Sequence, residues 1–249
     1  MKKNTAVLLT FLSGLILIPS IPVNAQLGID VESGYVTTGY NDIRIPGDEG
    51  TFFSLNEELT AHSKIFYRLR LNYKPASRHT ISLLYAPLTI MSDGSAGRDI
   101  LYEGVVFPAN SNIDASYKFN SYRVTYRYDI VQKPKVDFGL GLTAKIRDAK
   151  IDLTSGELYS EKVNVGFVPI INFRLHWKPY ERLGVLFEGD ALAAPQGRAE
   201  DVLLAATYKV TDNLGIKAGY RILEGGADND EVYTFSLFHY ASIGLFINL

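Results

Sequence analysis

The sequence predicts an all-β fold, an antiparallel up-and-down transmembrane β-barrel of about 10 strands with short periplasmic turns and longer outer loops. Three observations predict it. Apolar side chains alternate with polar ones along most of the chain, the connections between these segments alternate between short and long, and aromatic residues recur just before the short connections. Together these are the features of a barrel whose two faces meet different environments.

Alternation is clearest in the stretch from Tyr117 to Lys145. Tyr122, Val124 and Tyr126 alternate with Arg123 and Arg127, and the same pattern resumes after a turn. Because successive side chains of a strand point to opposite faces, a period of two predicts β-strands. The polar face carries charge and glycine, so this hairpin is expected to have one face in lipid and one in the barrel interior.

The other alternating segments follow in chain order. They cover 27–38, 65–73, 79–90, 163–177, 183–194, 202–210, 214–222 and 231–249. The phase of 79–90 is ambiguous. Two shorter apolar stretches are interpreted as a second hairpin above the barrel, at 52–59, and as a strand extension, at 99–107.

Connection lengths set the strand number. Short links fall near Pro75, Pro134, Pro179 and Asp212, and long links near 41–63, 91–112, 148–162, 195–200 and 224–231. With both termini on the side of the short links, four short turns and five long loops give ten strands. Such asymmetry is typical of bacterial outer-membrane barrels, and a soluble β-sandwich has no need of it.

The N-terminus predicts export. Lys2 and Lys3 precede an apolar run from Ala6 to Ile21, and Val23-Asn24-Ala25 has the small residues of a cleavage site. We therefore expect a signal peptide at 1–25 and a mature barrel at 26–249, since no later apolar run reaches the ~20 residues of a membrane helix. The net charge of −2 gives no basic surface for nucleic acid, and the absence of cysteine excludes disulfides and thiolate metal sites.

Aromatic residues near the short turns predict an interfacial girdle. They share the apolar phase of their strands and lie a few residues before the turns, where such rings favour the membrane–water interface. These residues are Tyr73, Tyr128, Trp177 and Tyr208.

The opposite phase predicts a charged lumen, because charges facing lipid are costly. The expected lumen residues are Asp30, Glu32, Arg68, Arg70, Arg123, Arg127, Asp129, Asp137, Lys145, Arg174, His176, Glu188, Asp190, Lys217 and Arg221. Both signs are present, so an ion-pair network that fills a narrow barrel is favoured over a conducting pore at this strand number.

The C-terminus carries a resemblance to known proteins. Counting back from Leu249, the alternate positions are mostly apolar: Ile247, Leu245, Ile243, Ala241, Leu237, Phe235 and Tyr233. In this the chain resembles the outer-membrane β-barrel proteins of Gram-negative bacteria, although their usual terminal residue is Phe and Phe246 is out of phase here. The resemblance implies a location in the cell outer membrane, contact with outer-membrane lipid and lipopolysaccharide, and recognition of the last strand by the barrel-assembly machinery.

Two enzyme classes remain as alternatives. His239, followed by Ser242, resembles the site of lipid A deacylases, but Ser242 has the opposite phase and Glu224 is expected opposite Glu231, too far away for a triad. The omptin-type proteases use Asp and His pairs above the membrane, and only His62, near Glu57 and Glu58, is suitably placed for that.

The remaining histidines do not complete a catalytic set. His79 begins a strand and His176 points inward. No metal ligands cluster, and no glycine-rich loop follows a strand, so no cofactor is expected.

The function expected from the sequence is therefore non-catalytic. A narrow charged lumen is expected to bind or pass a small ligand, or the barrel to support the envelope. The alternatives are an outer-membrane enzyme acting on lipid A or peptides, and a soluble periplasmic barrel that binds a lipophilic ligand.

Overall fold

The computed structural model describes residues 26–195 and 197–249, so the expected signal peptide lies outside the described residues. The fold is all-β, and no helix in these two ranges is long and apolar enough to cross a membrane. The strands are β1 (Gln26–Arg44), β2 (Phe53–Ser54), β3 (Leu59–Ala61), β4 (Lys64–Ala76), β5 (His79–Ala86), β6 (Thr89–Gly94), β7 (Ile100–Tyr102), β8 (Val105–Phe107), β9 (Ile113–Lys133), β10 (Val136–Ser155), β11 (Leu158–Trp177), β12 (Leu183–Ala194), β13 (Gly197–Lys209), β14 (Leu214–Asp228) and β15 (Tyr233–Asn248).

The wall is a closed antiparallel barrel. β1 pairs with β4 on one side and with the last strand, β15, on the other. β5 and β6 both pair with β9 and form one wall strand, interrupted at Pro87 and Leu88. Ten wall strands result, in the order β1, β4, β5 with β6, then β9 to β15. The predicted fold class and strand number are confirmed.

The four short turns lie where they were predicted, after β4, β9, β11 and β13. Three of the predicted loops are wrong in extent. The loop at 148–162 is a continuous hairpin that turns only at Gly156 and Glu157. In the one at 195–200, β13 already begins at Gly197, and the one at 224–231 starts only after Asp228.

A change of polarity along the strands explains these errors. In β10, Leu140 and Leu142 face outward near the short turns, whereas Ile151 and Leu153, on the opposite phase, are buried inside the far end. The strand therefore changes from apolar outside to apolar inside along its length. In the sequence, such an inversion of the pattern resembles the end of a strand. It is required where a barrel wall continues from lipid into water, because the apolar residues must then face the interior.

The far end of the barrel is filled by a cap, which we define as residues 45–63 and 95–112. Phe53 and Leu55 are fully buried, and β7 and β8 form a separate two-stranded sheet whose Ile100, Tyr102 and Phe107 are also fully buried. The predicted hairpin at 52–59 is therefore wrong, since β2 pairs with β1 and β3 with β6. The segment 99–107 likewise forms its own sheet and extends no wall strand.

The apolar core of the protein lies between this cap and the upper wall. It contains Val36, Phe66, Ile90, Tyr117, Ile151, Phe238 and Tyr240 from the wall. The cap is tied to the wall by the Tyr102 hydroxyl, which donates to the Ile151 carbonyl over 3.0 Å, and by the ion pair of Lys162 with Glu103 at 3.1 Å. Within the cap, Arg98 pairs with Glu58 at 2.5 Å.

The wall is incomplete between β11 and β12. Their ladder runs only from Trp177 paired with Val185 to Ile171 paired with Ala191, although β11 continues to Leu158 and β12 to Ala194. Pro169 lies just beyond the last pair, and proline, which lacks the N–H donor, belongs at strand edges. We call this interruption the side gap.

Candidate functional site

The barrel interior holds the charged residues that the sequence assigned to the lumen. Ten are buried: Glu32, Arg68, Arg123, Arg127, Asp129, Lys145, Glu188, Asp190, Lys217 and Arg221. The other five line a polar cavity of about 190 Å³ at the short-turn end: Asp30, Arg70, Asp137, Arg174 and His176.

A dense set of ion pairs crosses the middle of the lumen. We define this central network as Glu32, Arg68, Arg123, Asp190, Asp201, Lys217 and Arg221. Arg221, 2% exposed, donates from Nε and Nη2 to both oxygens of Glu32 at 2.7 and 2.8 Å. Such a two-bond pairing of guanidinium with carboxylate is among the strongest hydrogen-bonding arrangements in proteins.

Asp201 is the centre of this network, although it was not among the lumen residues predicted from the sequence. Its carboxylate accepts hydrogen bonds from Arg221 at 2.5 Å and Arg68 at 2.8 Å, and Arg123 pairs with it at 2.6 Å. Asp201 has the phase of Leu203 and Ala205, which are apolar and yet face inward. Because these inward residues are apolar, the inner face of β13 could not be recognised by its polarity. Counting back in steps of two from Thr207 would have identified Asp201 as inward-facing.

The rest of the central network is satisfied in the same way. Asp190 accepts from Arg123, Thr143 and Asn172 at 2.6 to 2.9 Å. Lys217 pairs with Glu32 at 3.2 Å and with Asp30 at 2.8 Å. With Asp30 included, four cations meet four carboxylates, so the middle of the lumen is electrically balanced and tightly bonded.

A second cavity of about 420 Å³ lies between the central network and the cap. Its volume is within the range of small-molecule sites. Apolar side chains on β9 and β11 form part of its lining, as do small residues on β13 and β14 that leave space in it. These include Phe119, Val168, Ala199, Gly225 and Gly226. We call it the outer cavity, and it borders the side gap, because Val168 of β11 and Leu192 and Ala194 of β12 line it from both sides.

Lys145 supplies an unusual charge to the outer cavity. Only 3% of this residue is exposed, and its Nζ lies 4.6 Å from the centre of the Phe119 ring. Within residues 26–195 and 197–249, no carboxylate forms an ion pair with it, in contrast to Lys150 and Lys162, which line the same cavity and pair with Asp152 and Glu103. A buried cation without a counter-charge is costly, so Lys145 marks a place suited to an anion.

Arg147 adds a second cation two residues along the same face. Its Nη2 donates to Asn164 Oδ1 at 2.5 Å, and its Nε is buried without a partner in the described part of the chain. Gly166 lies opposite Arg147 in the ladder, and a Cβ at that position would come within 3.3 Å of the guanidinium. The local backbone therefore leaves room for this side chain.

The residues predicted to form a girdle lie on the outer wall near the short turns. Tyr73, Tyr128, Trp177 and Tyr208 are all exposed there. Their role at an interface stays a prediction.

The histidines are not brought into a catalytic set in the described residues. His62 contacts Asp93, on β6, and not the predicted neighbours Glu57 and Glu58. His239 contacts the Tyr220 hydroxyl on the outer wall. His79 accepts or donates a hydrogen bond with Tyr126 at 2.8 Å, and His176 contacts Thr207 at 2.9 Å.

The expected register around His239 is wrong in detail. His239 pairs with Ile222 and Glu224 with Leu237, because β14 continues to Asp228 and the turn falls at 229–232. Glu224 instead bonds Arg198 at 2.7 Å and Tyr40. Ser242 is buried on the inner face, so no Ser–His–Glu arrangement forms. No group of three His, Cys, Asp or Glu side chains within the described ranges is placed to hold a metal ion.

Comparison with known proteins supports the fold. No family model matches the chain, and no curated protein matches it. Among solved structures, the outer membrane protease OmpT of Escherichia coli aligns with a TM-score of 0.53 and 12% identity, over 90% of this chain and 97% of that one.

Two further solved structures align less well. Ail, the attachment invasion locus protein of Yersinia pestis, aligns with a TM-score of 0.41 and 12% identity, over 90% of this chain and 99% of that one. An outer membrane channel from Pseudomonas putida F1 aligns with a TM-score of 0.42 and 9% identity, over 94% and 100%. The chain has the fold of Gram-negative outer-membrane β-barrels, which supports an outer-membrane location.

Proposed function

We propose that this protein is an integral outer-membrane barrel that binds a small molecule in the outer cavity and catalyses no reaction on it. One observation carries the proposal: the central network closes the lumen beneath a cavity of about 420 Å³, which is lined by the buried Lys145, a cation with no carboxylate partner among the described residues. With both termini in the periplasm, as is usual for such barrels, the cap faces the cell exterior and the outer cavity lies on that side.

A closed lumen argues against a permanently open pore. The central network joins side chains of β1, β4, β9, β12, β13 and β14, so its ion pairs reach across the interior from all sides. In planar bilayers, the refolded mature chain starting at Gln26 is expected to give no discrete conductance steps while running as a heat-modifiable band. Regular steps from the folded protein would contradict the proposal.

Binding is tested directly by ligand-dependent stability. A compound that binds only the folded barrel raises its unfolding temperature in proportion to its concentration over its Kd. The refolded protein in a non-ionic detergent is expected to show such a rise with some members of a panel of small amphiphiles. A panel without any effect, in protein whose heat-modifiability proves folding, would count against a binding role.

The class-different alternative is an outer-membrane hydrolase, and His62 with Asp93 is the contact that favours it. Both side chains are about half exposed, and among the described residues no Ser or Thr hydroxyl is hydrogen-bonded to His62. We expect the parent protein to leave lipid A and peptide substrates unchanged, and the variants His62→Ala and His239→Ala to behave in the same way. Turnover by the parent that either substitution abolishes would favour the enzyme.

The location and partners follow the same proposal. The barrel is expected to leave membranes only with detergent, which separates it from a soluble periplasmic lipophile-binding barrel. Its lipid partners are outer-membrane lipid and lipopolysaccharide, and its last strand, β15, is the segment that the barrel-assembly machinery would engage.

A further inference from the structure

We infer that the ligand of the outer cavity is a single-chain anionic amphiphile, which reaches the cavity through the side gap from the outer leaflet. The inference rests on the proposed binding function and adds the ligand class and the route. The acid group is held by Lys145 and Arg147, and the hydrocarbon chain lies along the apolar side of the same cavity.

The charge of the ligand follows from the pairing of the cavity cations. Lys145 and Arg147 are consecutive inward positions of β10, and neither has a carboxylate partner in the described residues, whereas Lys150 and Lys162 both do. The central network is balanced by itself and offers no spare anion. A carboxylate or phosphate on the ligand would supply the counter-charge that the described residues do not provide, and a cation would be repelled.

The apolar part of the ligand follows from the remainder of the lining. Phe119, Ile151 and Leu223 contribute apolar surface, while Gly225 and Gly226 contribute empty space along β14. A Cβ at Gly226 would collide with the Thr234 carbonyl oxygen, so these small residues allow close strand approach beside the cavity. Hydrocarbon buried here is withdrawn from water, which is the favourable term for an acyl chain.

The route follows from what closes the other directions. Toward the far end the cap is held against the wall by Tyr102 and by the pair of Glu103 with Lys162, and Ile45 of the cap lines the cavity. The central network closes the opposite direction. In the side gap, the segment of β11 from Leu158 to Ile170 lacks a ladder partner on its β12 side, and its outward residues Val163, Val165 and Phe167 are apolar and exposed.

Another interruption of the wall is filled and offers no route. The β4–β5 ladder ends at Leu69 paired with Tyr85, but Leu88 and Phe66 are buried behind this place and Lys64 Nζ bonds the Thr89 carbonyl at 3.1 Å. The cavity there has a volume of about 10 Å³, which holds no more than about one water molecule and is too small for an acyl chain.

The ligand class is tested by calorimetric titration of the refolded protein in non-ionic detergent. Dodecanoate represents a free fatty acid, lysophosphatidate a membrane lipid, and dodecanol and dodecyltrimethylammonium the same chain with no charge or the opposite charge. Dodecanoate, lysophosphatidate or both are expected to bind at least about tenfold more tightly than dodecanol, as a charge-assisted hydrogen bond would give. Whichever of the two anions binds more tightly identifies the source.

Variants assign that preference to the cavity. Lys145→Met and Arg147→Gln are each expected to weaken binding of the anion about tenfold or more and to leave dodecanol unchanged. Lys74→Met is the matched control, because Lys74 lines the other cavity. Heat-modifiability confirms that each variant is folded.

The outcomes separate the two levels of the proposal. Equal binding of dodecanoate and dodecanol, unaffected by Lys145→Met, would overturn the anionic class and keep a binding barrel. No binding of any amphiphile would overturn the proposed function itself.

The route has its own variant pair. Ala194→Trp places a bulky ring at the side gap, whereas Ala193→Trp changes the adjacent residue, which does not line the outer cavity. In proteoliposomes loaded with a fluorescent fatty acid, Ala194→Trp is expected to slow binding at least about fivefold relative to Ala193→Trp, a difference of about 1 kcal/mol in the barrier. Equal rates would overturn access through the side gap.

Discussion

At the scale of residues, the carboxylate of Asp201 lies among three guanidinium groups, those of Arg68, Arg123 and Arg221. Each pairing is buried, so the mutual attraction acts with little screening by solvent, and each charge would be costly if left alone. The stability of the lumen therefore depends on completeness of the network more than on any one pair.

Removal of this carboxylate is expected to be severely destabilising. Asp201→Ala leaves the buried Arg68 without a carboxylate partner among the described residues and removes one of the two carboxylates that pair with Arg123 and with Arg221. For breaking buried pairs in this way a loss of about 3–5 kcal/mol is typical. The measurement is urea unfolding of the refolded barrel in liposomes. Asp212→Ala is the matched control, because its carboxylate is 91% exposed in a turn and its pair with Lys209 is worth little. A loss below about 1 kcal/mol for Asp201→Ala would contradict this account.

Most of the charged residues of the central network could be predicted from the sequence. Arg123, Asp190 and Arg221 follow from strict alternation, because lipid forbids charge on the other phase. Asp201 was missed because its neighbours on the inner face are apolar. That Lys145 has no carboxylate partner among the described residues could not be predicted at all, since it depends on which carboxylates the closed barrel brings near it.

At the scale of elements, the cap is stabilised by a tight turn between β7 and β8. Glu103 and Gly104 have φ of 45° and 77°, the two positive values that a type I′ hairpin turn requires. The added methyl group of Gly104→Ala would meet no atom within 4 Å, so its effect is confined to backbone conformation.

Gly104→Ala is therefore expected to loosen the cap by about 1–2 kcal/mol. Hydrogen exchange of residues 95–112 should accelerate accordingly, while exchange in the lower wall stays unchanged. Gly97→Ala is the control, because a Cβ there also meets open space and the residue has no positive φ. Equal acceleration of exchange by the two substitutions would show that the positive φ of the turn does not stabilise the cap.

The closed state of the cap is also expected to lose stability at alkaline pH. Burial in the cap raises the pKa of the Tyr102 hydroxyl above its usual value of about 10. When the cap opens, Tyr102 is exposed and its hydroxyl ionises at a lower pH than in the closed cap. The closed cap therefore has its full stability below pH about 10 and loses stability as the pH rises above it.

Thiol labelling measures this opening, since the chain has no cysteine of its own. The labelling rate of Ile100→Cys is divided by that of the exposed Gly97→Cys. This ratio should increase when the pH exceeds about 10. The rise should be smaller when Tyr102→Phe is added. The same rise with and without Tyr102 would assign the effect to other groups.

The elements also explain where prediction from sequence stopped. The lower strands were predicted because lipid outside and charge inside give uniform alternation. The upper parts of β10 and β11 were taken for a loop because water outside and an apolar core inside reverse that pattern, as Ile151 and Leu153 illustrate. The cap was not predictable in detail, because its short strands fold against the interior of the wall.

At the scale of the whole molecule, two closures lie in series along the lumen. The cap seals the far end with apolar contacts, and the central network seals the middle with ion pairs. The cavities on either side of the network, of about 420 and 190 Å³, are thereby separated.

Removal of the cap alone is not expected to open a pore. Replacement of residues 97–110 by a short Gly/Ser linker removes Ile100, Tyr102 and Phe107 from the core but leaves the central network intact. Planar-bilayer recordings should remain silent, and the barrel should remain heat-modifiable. Steady ion currents from this folded variant would mean that the network passes ions and that the cap is the actual barrier.

The pairing of β1 with β15 has a consequence for the order in which the chain folds. Glu32 and Arg221 are 189 residues apart in sequence, and Arg68 and Asp201 are 133 apart, so neither pair exists until the last strands have joined the first. Contacts of such long range form late and slowly. A chain truncated before β13 would carry Glu32 of β1 and Arg68 of β4 without their partners on β13 and β14, in a sheet whose edges lipid cannot satisfy. Completion of the barrel and neutralisation of its interior are therefore one cooperative event, and unfinished copies remain recognisable by their unmatched charge.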